Sequence, residues 1–243
     1  MDYSFLQCGE GALTVHLGDG IDPAINRRVT ALQGAIDSAG LRGITDLIPA
    51  YADLTVCYDC TVISAKALQR QLRRLLDSLS VAGQDRRRVF QLPVCYGGDY
   101  GPDLDFVCHH SGLSAQEVIA LHSAPDYLIY MLGFLPGFAY LGGLDPRLHT
   151  PRLDSPRTCI PAGSVGIGGA QTGVYPLASP GGWQLLGRTP VSVFDRQRQE
   201  PILYRAGDLV HFVPISPAEY EKIARAVAAG TYTVQVEEVP VCD

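Results

Sequence analysis

The stretch from residue 133 to residue 190 reads GFLPGFAYLGGLDPRLHTPRLDSPRTCIPAGSVGIGGAQTGVYPLASPGGWQLLGRTP. It contains twelve of the 26 glycines and eight of the 17 prolines, but no lysine and no glutamate. Glycine permits positive φ and close backbone approach, while proline fixes φ and removes a hydrogen-bond donor. This density predicts a rigid set of turns rather than regular strands, and we interpret the stretch as the working face of the protein.

Aromatic side chains distinguish this stretch from a flexible linker, which would be polar. Four of them could form an exposed apolar patch for a partner chain: Phe134, Phe138, Tyr140 and Trp183. Burial in a core is the alternative for any one of them. Because four large rings are hard to bury together in a loop-rich run, we expect a partner interface here.

The composition describes an ordinary globular protein that works in a reducing compartment. A net charge of −6 argues against nucleic acid or an anionic membrane as the main partner. The seven cysteines do not show the spacing of a disulfide-bonded scaffold, which favours a protein of the reducing cytosol. The N-terminal residues MDYSFLQCGE show no signal-peptide pattern. We therefore expect a cytoplasmic protein without a membrane anchor.

Lysine is rare, and its positions exclude two kinds of nucleotide or cofactor site. Lys66 follows Ala65 and Lys222 follows Glu221, so no Gly-Lys P-loop is possible. Neither lysine lies between methionines, which excludes a biotin-carrying segment. The histidines show no metal-ligand spacing, and we expect no metal site.

The first part of the chain predicts a βαββαβ order. Strands are expected at 12–17, 44–51, 54–59 and 89–96. The helices are expected to begin after Asp22 and after Ser64, which are good N-caps. This order is that of a ferredoxin-like domain, which we place at residues 1–97. The boundary could lie nearer residue 85, because the last strand could belong to either domain.

The rest of the chain, residues 98–243, predicts a closed, barrel-like second domain. Two short helices are expected, one starting at Pro102 and one after the capping box of Ser114 and Glu117. Strands are expected at 127–134, 183–186, 190–194, 208–215 and 231–239, and a further helix at 217–228. Many short strands separated by Gly/Pro turns are typical of barrels. The overall class is therefore α+β.

Several residues of the Gly/Pro stretch could bind a substrate. The backbone N–H groups around Gly163, Ser164, Gly166 and Gly168 could bind an anion, although a tight turn explains the same glycines. Two arginines outside the catalytic set, Arg152 and Arg188, could clamp a carboxylate or phosphate, or could bind backbone carbonyls. Thr172 and Tyr175 are neutral donors that could orient an amide, or could stabilise turns.

Three residues are the catalytic candidates: His122, Arg157 and Gln171. His122 lies at a predicted helix end, directly before a central strand, and is the best general acid or base in the chain. The alternative is that His122 has only a structural role and caps the end of this helix. Arg157 could stabilise an anion, or could bind backbone carbonyls. Gln171 could orient an amide, or could stabilise a turn.

The motifs YMLGFLPGFAYLGGLDPRL, PRLDSPRTCIPAGSVGIGGAQTGVYPLASPGGWQLLGRTP and GDLVHFVPI carry a family likeness. They resemble the family that includes the B subunit of prokaryotic 5-oxoprolinase, KipI-type inhibitors of a sporulation histidine kinase, and the first segment of the urea carboxylase carboxyltransferase domain (allophanate hydrolase subunit 1). GEGALTVHLG, GITDLIPAYADLTVCYD and LPVCYGGDYGPDL extend the likeness over nearly the whole chain.

The resemblance implies a ferredoxin-like domain followed by a cyclophilin-like β-barrel. It also implies a chain that works in a hetero-oligomer with a homologous C subunit and with an A subunit. Together these would hydrolyse 5-oxo-L-proline to L-glutamate with ATP. The alternatives within the family are binding of a histidine kinase, and membership of a urea or amide carboxylase or an allophanate hydrolase-related complex. The motifs separate these members poorly.

Overall fold

The computed structural model describes residues 3–79 and 86–240. The chain divides into two compact units, Met1–Asp85 and Arg86–Asp243. No helix in these described ranges is long and apolar enough to cross a membrane.

The first unit is a four-stranded antiparallel sheet covered on one face by two helices. Its elements in chain order are β1 (Ser4–Cys8), β2 (Ala12–His16), α1 (Pro23–Ala39), β3 (Ile44–Pro49), β4 (Asp53–Tyr58) and α2 (Ala65–Asp77). The strands lie in the order β1-β2-β4-β3. Alternate residues of β2 and β4, such as Leu13 and Val56, pack with Leu32 of α1 and Leu72 of α2 in one core. Period-two burial on the strands and helical spacing on α1 and α2 produce this two-layer arrangement.

Both helices begin where the sequence predicts. The Asp22 carboxylate accepts a hydrogen bond of 2.6 Å from the Ala24 N–H, and Gly40 ends α1 in the left-handed conformation. Ser64 caps α2 through the N–H of Ala67. These caps satisfy N–H groups that a helix end otherwise leaves unpaired.

The order of elements in this unit is ββαββα, not the predicted βαββαβ. Residues 4–8 form an edge strand beside β2, whereas residues 89–96, the last strand of the predicted order, belong to a sheet of the second unit. The sequence SFLQC has no clean apolar alternation, and four of its five residues are exposed, so it gives no strand signal. A ferredoxin-like fold for this unit stays a proposal.

The second unit contains short strands and helices around a barrel. In chain order they are β5 (Arg86–Tyr96), α3 (Leu104–Ser111), α4 (Ala115–Ser123), β6 (Asp126–Leu132), β7 (Ala139–Gly142), β8 (Arg157–Ile160), β9 (Ser164–Gly168), β10 (Gln171–Val174), β11 (Ser179–Gly181), β12 (Gln184–Arg188), β13 (Leu209–Pro214), α5 (Pro217–Ala228) and β14 (Val236–Pro240). The capping box of Ser114 and Glu117 starts α4, as predicted.

Seven strands of this unit close into a barrel, which confirms the predicted barrel-like architecture. They follow one another in the order β12-β9-β10-β7-β6-β13-β5, and β5 pairs with β12 to close the ring. Strand β14 adds to β5 outside the ring. Since β5 pairs with strands of the second unit, we propose that the domain boundary lies near residue 85 rather than at 97.

The prediction of turns without regular strands is wrong for residues 133–190, because β7 to β12 all lie there. Several of the glycines lie inside strands, where neighbouring atoms leave no room for a side chain. A Cβ on Gly166 would lie 2.7 Å from the Gln184 carbonyl oxygen, and one on Gly168 would overlap the Trp183 indole. These glycines permit close packing of chain against chain.

Two other strand predictions differ from the structure. Residues 190–194 form no strand and make only an isolated bridge between Phe194 and Ile202. The final strand is shorter than the predicted 231–239 and covers Val236–Pro240.

Candidate functional site

A pocket of about 290 Å³ opens on the outer side of the barrel, between the loops of the Gly/Pro stretch. Its lining residues are Phe134, Phe138, Tyr140, Arg152, Pro156, Tyr175, Pro180, Gly181, Gly182 and Trp183. All four residues predicted as a partner interface are among them. Two of the predicted substrate-binding residues, Arg152 and Tyr175, also line it. We call this the aromatic pocket.

Phe138 lies at the centre of a cluster of edge-to-face rings. Its ring centroid lies 5.5 Å from that of Phe134, 5.2 Å from that of Tyr140, 5.6 Å from that of Tyr175 and 5.5 Å from that of Trp183. Edge-to-face pairs at these separations add about 0.5–1.5 kcal/mol each beyond the burial of area. The rings therefore form rigid walls.

The four residues predicted as an interface are not equally exposed. Phe138 and Trp183 are only 3% and 5% exposed, because they form a small core with Ile160 and Leu185 on the outside of the barrel. Phe138 and Trp183 are therefore buried side chains, as the alternative to an exposed patch expects. Phe134 is 63% exposed.

Phe134 is held outward by its backbone. Its φ of +65° is in the left-handed region, which a bulky side chain adopts only at a cost of about 1–3 kcal/mol. The Leu135 N–H donates to the Gly133 carbonyl oxygen at 2.7 Å, so that Phe134 is the central residue of a γ-turn. The turn places an apolar ring at the mouth of the pocket.

Arg152 lies over the indole of Trp183, with its guanidinium carbon 6.0 Å from the ring centroid. Two hydrogen bonds fix the backbone on either side of it. The Gln184 side-chain amide donates to the Pro151 carbonyl oxygen at 3.1 Å, and the Leu153 N–H donates to the Gly182 carbonyl oxygen at 2.7 Å. Arg152 is therefore the cation of the pocket lining.

Tyr175 brings a phenol group into the pocket wall. It is 2% exposed, and its oxygen accepts from the backbone N–H of Trp183. Burial raises the pKa of the phenol, so the hydroxyl keeps its proton at neutral pH. Gly181 permits this placement, since a Cβ there would lie 2.6 Å from the Tyr175 oxygen.

The catalytic candidate His122 does not lie in the aromatic pocket but inside the barrel, with no exposed surface. Its Nδ1 lies 2.8 Å from the Tyr96 hydroxyl and its Nε2 lies 2.7 Å from the Thr172 hydroxyl. The Thr172 hydroxyl donates to the Gly166 carbonyl oxygen, so it accepts from Nε2–H, and Nδ1 accepts from Tyr96. Burial lowers the pKa of His122 to about 3. This geometry argues against proton transfer to a substrate and favours a structural role for His122 and Thr172.

Arg157, the second catalytic candidate, forms an ion pair with Asp103. One guanidinium nitrogen donates to Asp103 Oδ1 at 2.6 Å, and the other Asp103 oxygen accepts from the Leu185 N–H at 2.6 Å. Arg157 also donates to the Trp183 carbonyl oxygen at 3.3 Å. The guanidinium thus links β8 and β12 to the start of α3. It does so through an ion pair with Asp103 and a hydrogen bond to a backbone carbonyl, as the structural alternative for this arginine expects.

The glycine-rich segment around Gly163 does not offer its amides to an anion. The Gly163 N–H donates to the Tyr175 carbonyl oxygen at 2.7 Å, and the Ser164 N–H donates to the Pro161 carbonyl oxygen. The strand that follows is paired on both sides, with β10 and with β12. We propose that Gly163, Gly166 and Gly168 serve to build the barrel, because their backbone groups are paired within it.

The remaining candidates also lie outside the pocket lining. Ser164 is fully buried, and its hydroxyl has no hydrogen-bond partner among the described residues. Arg188 interacts with the hydroxyl of Tyr220. Gln171 begins β10, opposite Gly168 in a hairpin. Among the described residues no cluster of three or more potential metal ligands occurs.

Some residues of the pocket and the partners of the catalytic candidates were not predicted. Pro156, Pro180, Gly181 and Gly182 complete the pocket lining. The run Pro180-Gly181-Gly182-Trp183 is a local signal for a shaped wall around a large ring. Asp103 and Tyr96 gave no such signal, because each lies far in sequence from the side chain that it binds.

The chemistry available in the aromatic pocket is that of binding. Apolar ring faces, a guanidinium and a protonated phenol can hold a small flat molecule that carries a carboxylate and a polar atom. The residues that line this pocket include no histidine, aspartate or glutamate that could act as a general base.

Comparison with known proteins gives a family and close relatives. Residues 3–204 match the profile described as carboxyltransferase domain, subdomain C and D. A Bacillus subtilis protein named as the B subunit of 5-oxoprolinase is 42% identical over 90% of this chain and 95% of its own length. Its counterpart of the same name in Escherichia coli O157:H7 is 46% identical over 85% of this chain and 93% of its own.

Two solved structures resemble the chain. The crystal structure of TTHA0988 is 40% identical with a TM-score of 0.75, over 84% of this chain and 40% of that longer protein. The Kluyveromyces lactis urea carboxylase has a TM-score of 0.81 at 23% identity, over 98% of this chain and 24% of its own, and supports the fold alone. This chain therefore spans well under half of either structure.

Proposed function

The chain belongs to the family of the carboxyltransferase domain, subdomain C and D, and on that premise we propose that it is the B subunit of an ATP-dependent 5-oxoprolinase. The observation that carries the proposal is the identity of 42–46% to proteins named as 5-oxoprolinase B subunits, over more than nine tenths of their length. The cyclophilin-like description of the barrel and the ferredoxin-like description of the first unit belong to the same proposal.

The proposed reaction opens a cyclic amide. The C–N bond of the 5-oxo-L-proline ring breaks, and water adds across it to give the side-chain carboxylate and the amino group of L-glutamate. A second water is used to convert ATP to ADP and phosphate. Because an amide is a stable acyl compound, the coupling to ATP supplies the driving force.

This chain does not present a phosphate cradle at the segments where the sequence suggested one. The amides around Gly163 are used within the barrel, and neither lysine follows a glycine. We therefore propose that ATP is bound by a partner chain, and we assign no step of phosphate transfer to the residues of this chain. Its part is to hold the amide substrate.

The proposed partners are a C subunit and an A subunit. This chain resembles proteins named as B subunits, and that name implies companion chains. The aromatic pocket also has a strongly exposed ring, that of Phe134, at its mouth. An apolar side chain held outward in a strained turn is typical of a contact that another molecule covers. We propose that Phe134 and the partly exposed Tyr140 contact a partner, while Phe138 and Trp183 support them from below. We also propose that the complex works in the cytoplasm, where unpaired cysteines are usual.

Reconstitution tests the proposed function. The three chains are purified together, and release of ADP is measured with and without 5-oxo-L-proline. We expect release that depends on 5-oxo-L-proline and on this chain, and no activity from this chain alone. A complete set of the three chains that forms no glutamate, or activity of the isolated chain, would contradict the proposal.

A carboxylase role is the second candidate, and a sequence relative named putative urea carboxylase favours it. The relative named putative urea carboxylase in Emericella nidulans is 26% identical, which is well below the 5-oxoprolinase proteins. The same preparation distinguishes the two roles. Consumption of bicarbonate in the presence of a biotinylated carrier, without release of glutamate, would favour the carboxylase.

A further inference from the structure

The aromatic pocket combines apolar walls with a cation that has no carboxylate partner among the residues that the structure describes. In the described part of the chain, the contact of the Arg152 guanidinium is with the Trp183 ring. By contrast, Arg157 and Arg147 are each paired with an aspartate at 2.6–2.7 Å. An arginine that is held in place over a ring, without a counter-ion, is suited to a carboxylate that arrives with a ligand.

Positioning of Arg152 is built into the fold. The residues on both sides of it are hydrogen-bonded to Gly182 and to the buried side chain of Gln184, which lie on both sides of Trp183. The backbone at Arg152 and the indole beneath it are therefore fixed relative to each other. Less conformational entropy is lost on binding when the group that binds is already oriented.

Tyr175 supplies a hydrogen-bond donor in the same pocket. Its oxygen accepts from the Trp183 N–H, so that its own hydroxyl proton is the group it can donate to a ligand in the pocket. A buried hydroxyl usually donates to a partner, because an unsatisfied one costs about 1–3 kcal/mol. A carbonyl oxygen of a ligand would satisfy it.

We propose that the aromatic pocket is the substrate subsite of this chain, where Arg152 pairs with the carboxylate of a small cyclic-amide acid and the Tyr175 hydroxyl donates to its amide oxygen. This inference rests on the proposed function, from which the cyclic amide comes. The walls made by Phe138 and Trp183 then contact the flat ring of the ligand. A triphosphate does not suit the same pocket, since the lining contains a single arginine and no lysine.

The chain carries its own reporter for this test. Trp183 is the one tryptophan of the sequence, and its indole lies beneath Arg152. The fluorescence of the full chain is titrated with 5-oxo-L-proline, and in parallel with 2-pyrrolidinone, which has the cyclic amide but no carboxylate. We expect a saturable change with 5-oxo-L-proline and at least about tenfold weaker binding of 2-pyrrolidinone, because a charge-assisted pair is lost.

The variants are Arg152→Gln and, as a matched control, Arg196→Gln, which removes an exposed arginine of the same unit away from the pocket. Arg152→Gln is expected to weaken binding of 5-oxo-L-proline about tenfold or more and to raise the KM of the assembled enzyme by a similar factor. Arg196→Gln is expected to change neither quantity. Since both side chains are exposed, both variants should keep the melting temperature of the parent chain.

The outcomes separate this inference from the proposed function. Binding that depends on Arg152, in a preparation whose complex does not turn over, supports the pocket and contradicts the function. Turnover with a KM and a titration that Arg152→Gln leaves unchanged overturns the pocket and keeps the function. If Phe134→Ser and Arg152→Gln abolish co-purification with the partner but leave the KM of any remaining complex unchanged, the pocket is a docking site for protein and the inference is wrong.

Discussion

Acid should destabilise the second unit through His122. The imidazole is neutral in the folded protein, with a pKa of about 3, whereas its ordinary value is 6.5. The cause is burial, and neither of its hydrogen-bond partners, Tyr96 and Thr172, is a carboxylate. Below pH 6.5 the unfolded chain therefore binds a proton that the folded chain excludes.

The sign and size follow from proton linkage. Because the folded pKa lies below the unfolded pKa, the stability is fully present above pH 6.5 and is lost as the pH falls toward 3. Each pH unit in this window costs about 1.4 kcal/mol. Between pH 7 and pH 4.5 the loss is about 2–3 kcal/mol, which corresponds to a fall of roughly 1 M in the urea midpoint.

Urea unfolding is followed by the fluorescence of Trp183, which reports on the second unit. The matched variant is His122→Gln, whose side-chain amide can both donate and accept but does not titrate. Carboxylates contribute equally to parent and variant, so the difference between their pH profiles isolates His122. We expect the parent to lose about 2–3 kcal/mol more than the variant over this range.

Parallel pH profiles for parent and variant would refute this reasoning. They would mean that His122 stays accessible to protons in the folded chain, and the general acid or base role would then regain its support. In that case the activity of the complex should show an ionisation near the ordinary histidine pKa, and His122→Gln should remove it.

Two further predictions concern Arg157 and Gly168, for which we propose structural roles. Arg157→Ala should destabilise the second unit by about 2–3 kcal/mol, which is less than the roughly 3–5 kcal/mol typical of a fully buried pair because the arginine is partly exposed. The control Arg196→Ala should cost under about 0.5 kcal/mol. Equal urea midpoints for the two variants would contradict the structural role of Arg157. Gly168→Ala should lower the melting temperature and change the Trp183 emission spectrum, because a Cβ would overlap the indole; an unchanged spectrum and melting temperature would show that the ring can move away.

Local signals made most of the helices predictable. The caps at Asp22, Ser64 and Ser114 and the apolar periodicity that follows each of them are properties of neighbouring residues. Hydrogen bonding at a helix end depends on a few adjacent side chains, so sequence alone determines it. The two amphipathic helices of the first unit were expected at nearly their observed positions.

Strand membership was less predictable, because pairing depends on distant segments. The apolar run at 89–96 indicates a strand but does not say which sheet it joins; in the structure, Arg86–Tyr96 pairs with residues more than 90 positions further along. The glycine-rich strands show no alternation of apolar and polar residues, since a glycine replaces the outward side chain wherever another chain segment approaches. A turn and a closely packed strand then have the same composition.

The candidate site shows the same division between local and distant information. The arginines and rings of the Gly/Pro stretch were all identifiable as unusual, but their roles depend on partners that the sequence does not bring together. Arg157 is paired with Asp103, which lies 54 positions earlier in the chain and is buried beside it. Arg152 has no such partner among residues 3–79 and 86–240, although it has the same kind of proline-rich neighbours. A guanidinium that the fold leaves without a counter-ion is better suited to bind an acidic ligand. We therefore propose that the difference between these two arginines, rather than the motif they share, decides where this chain holds an acidic substrate.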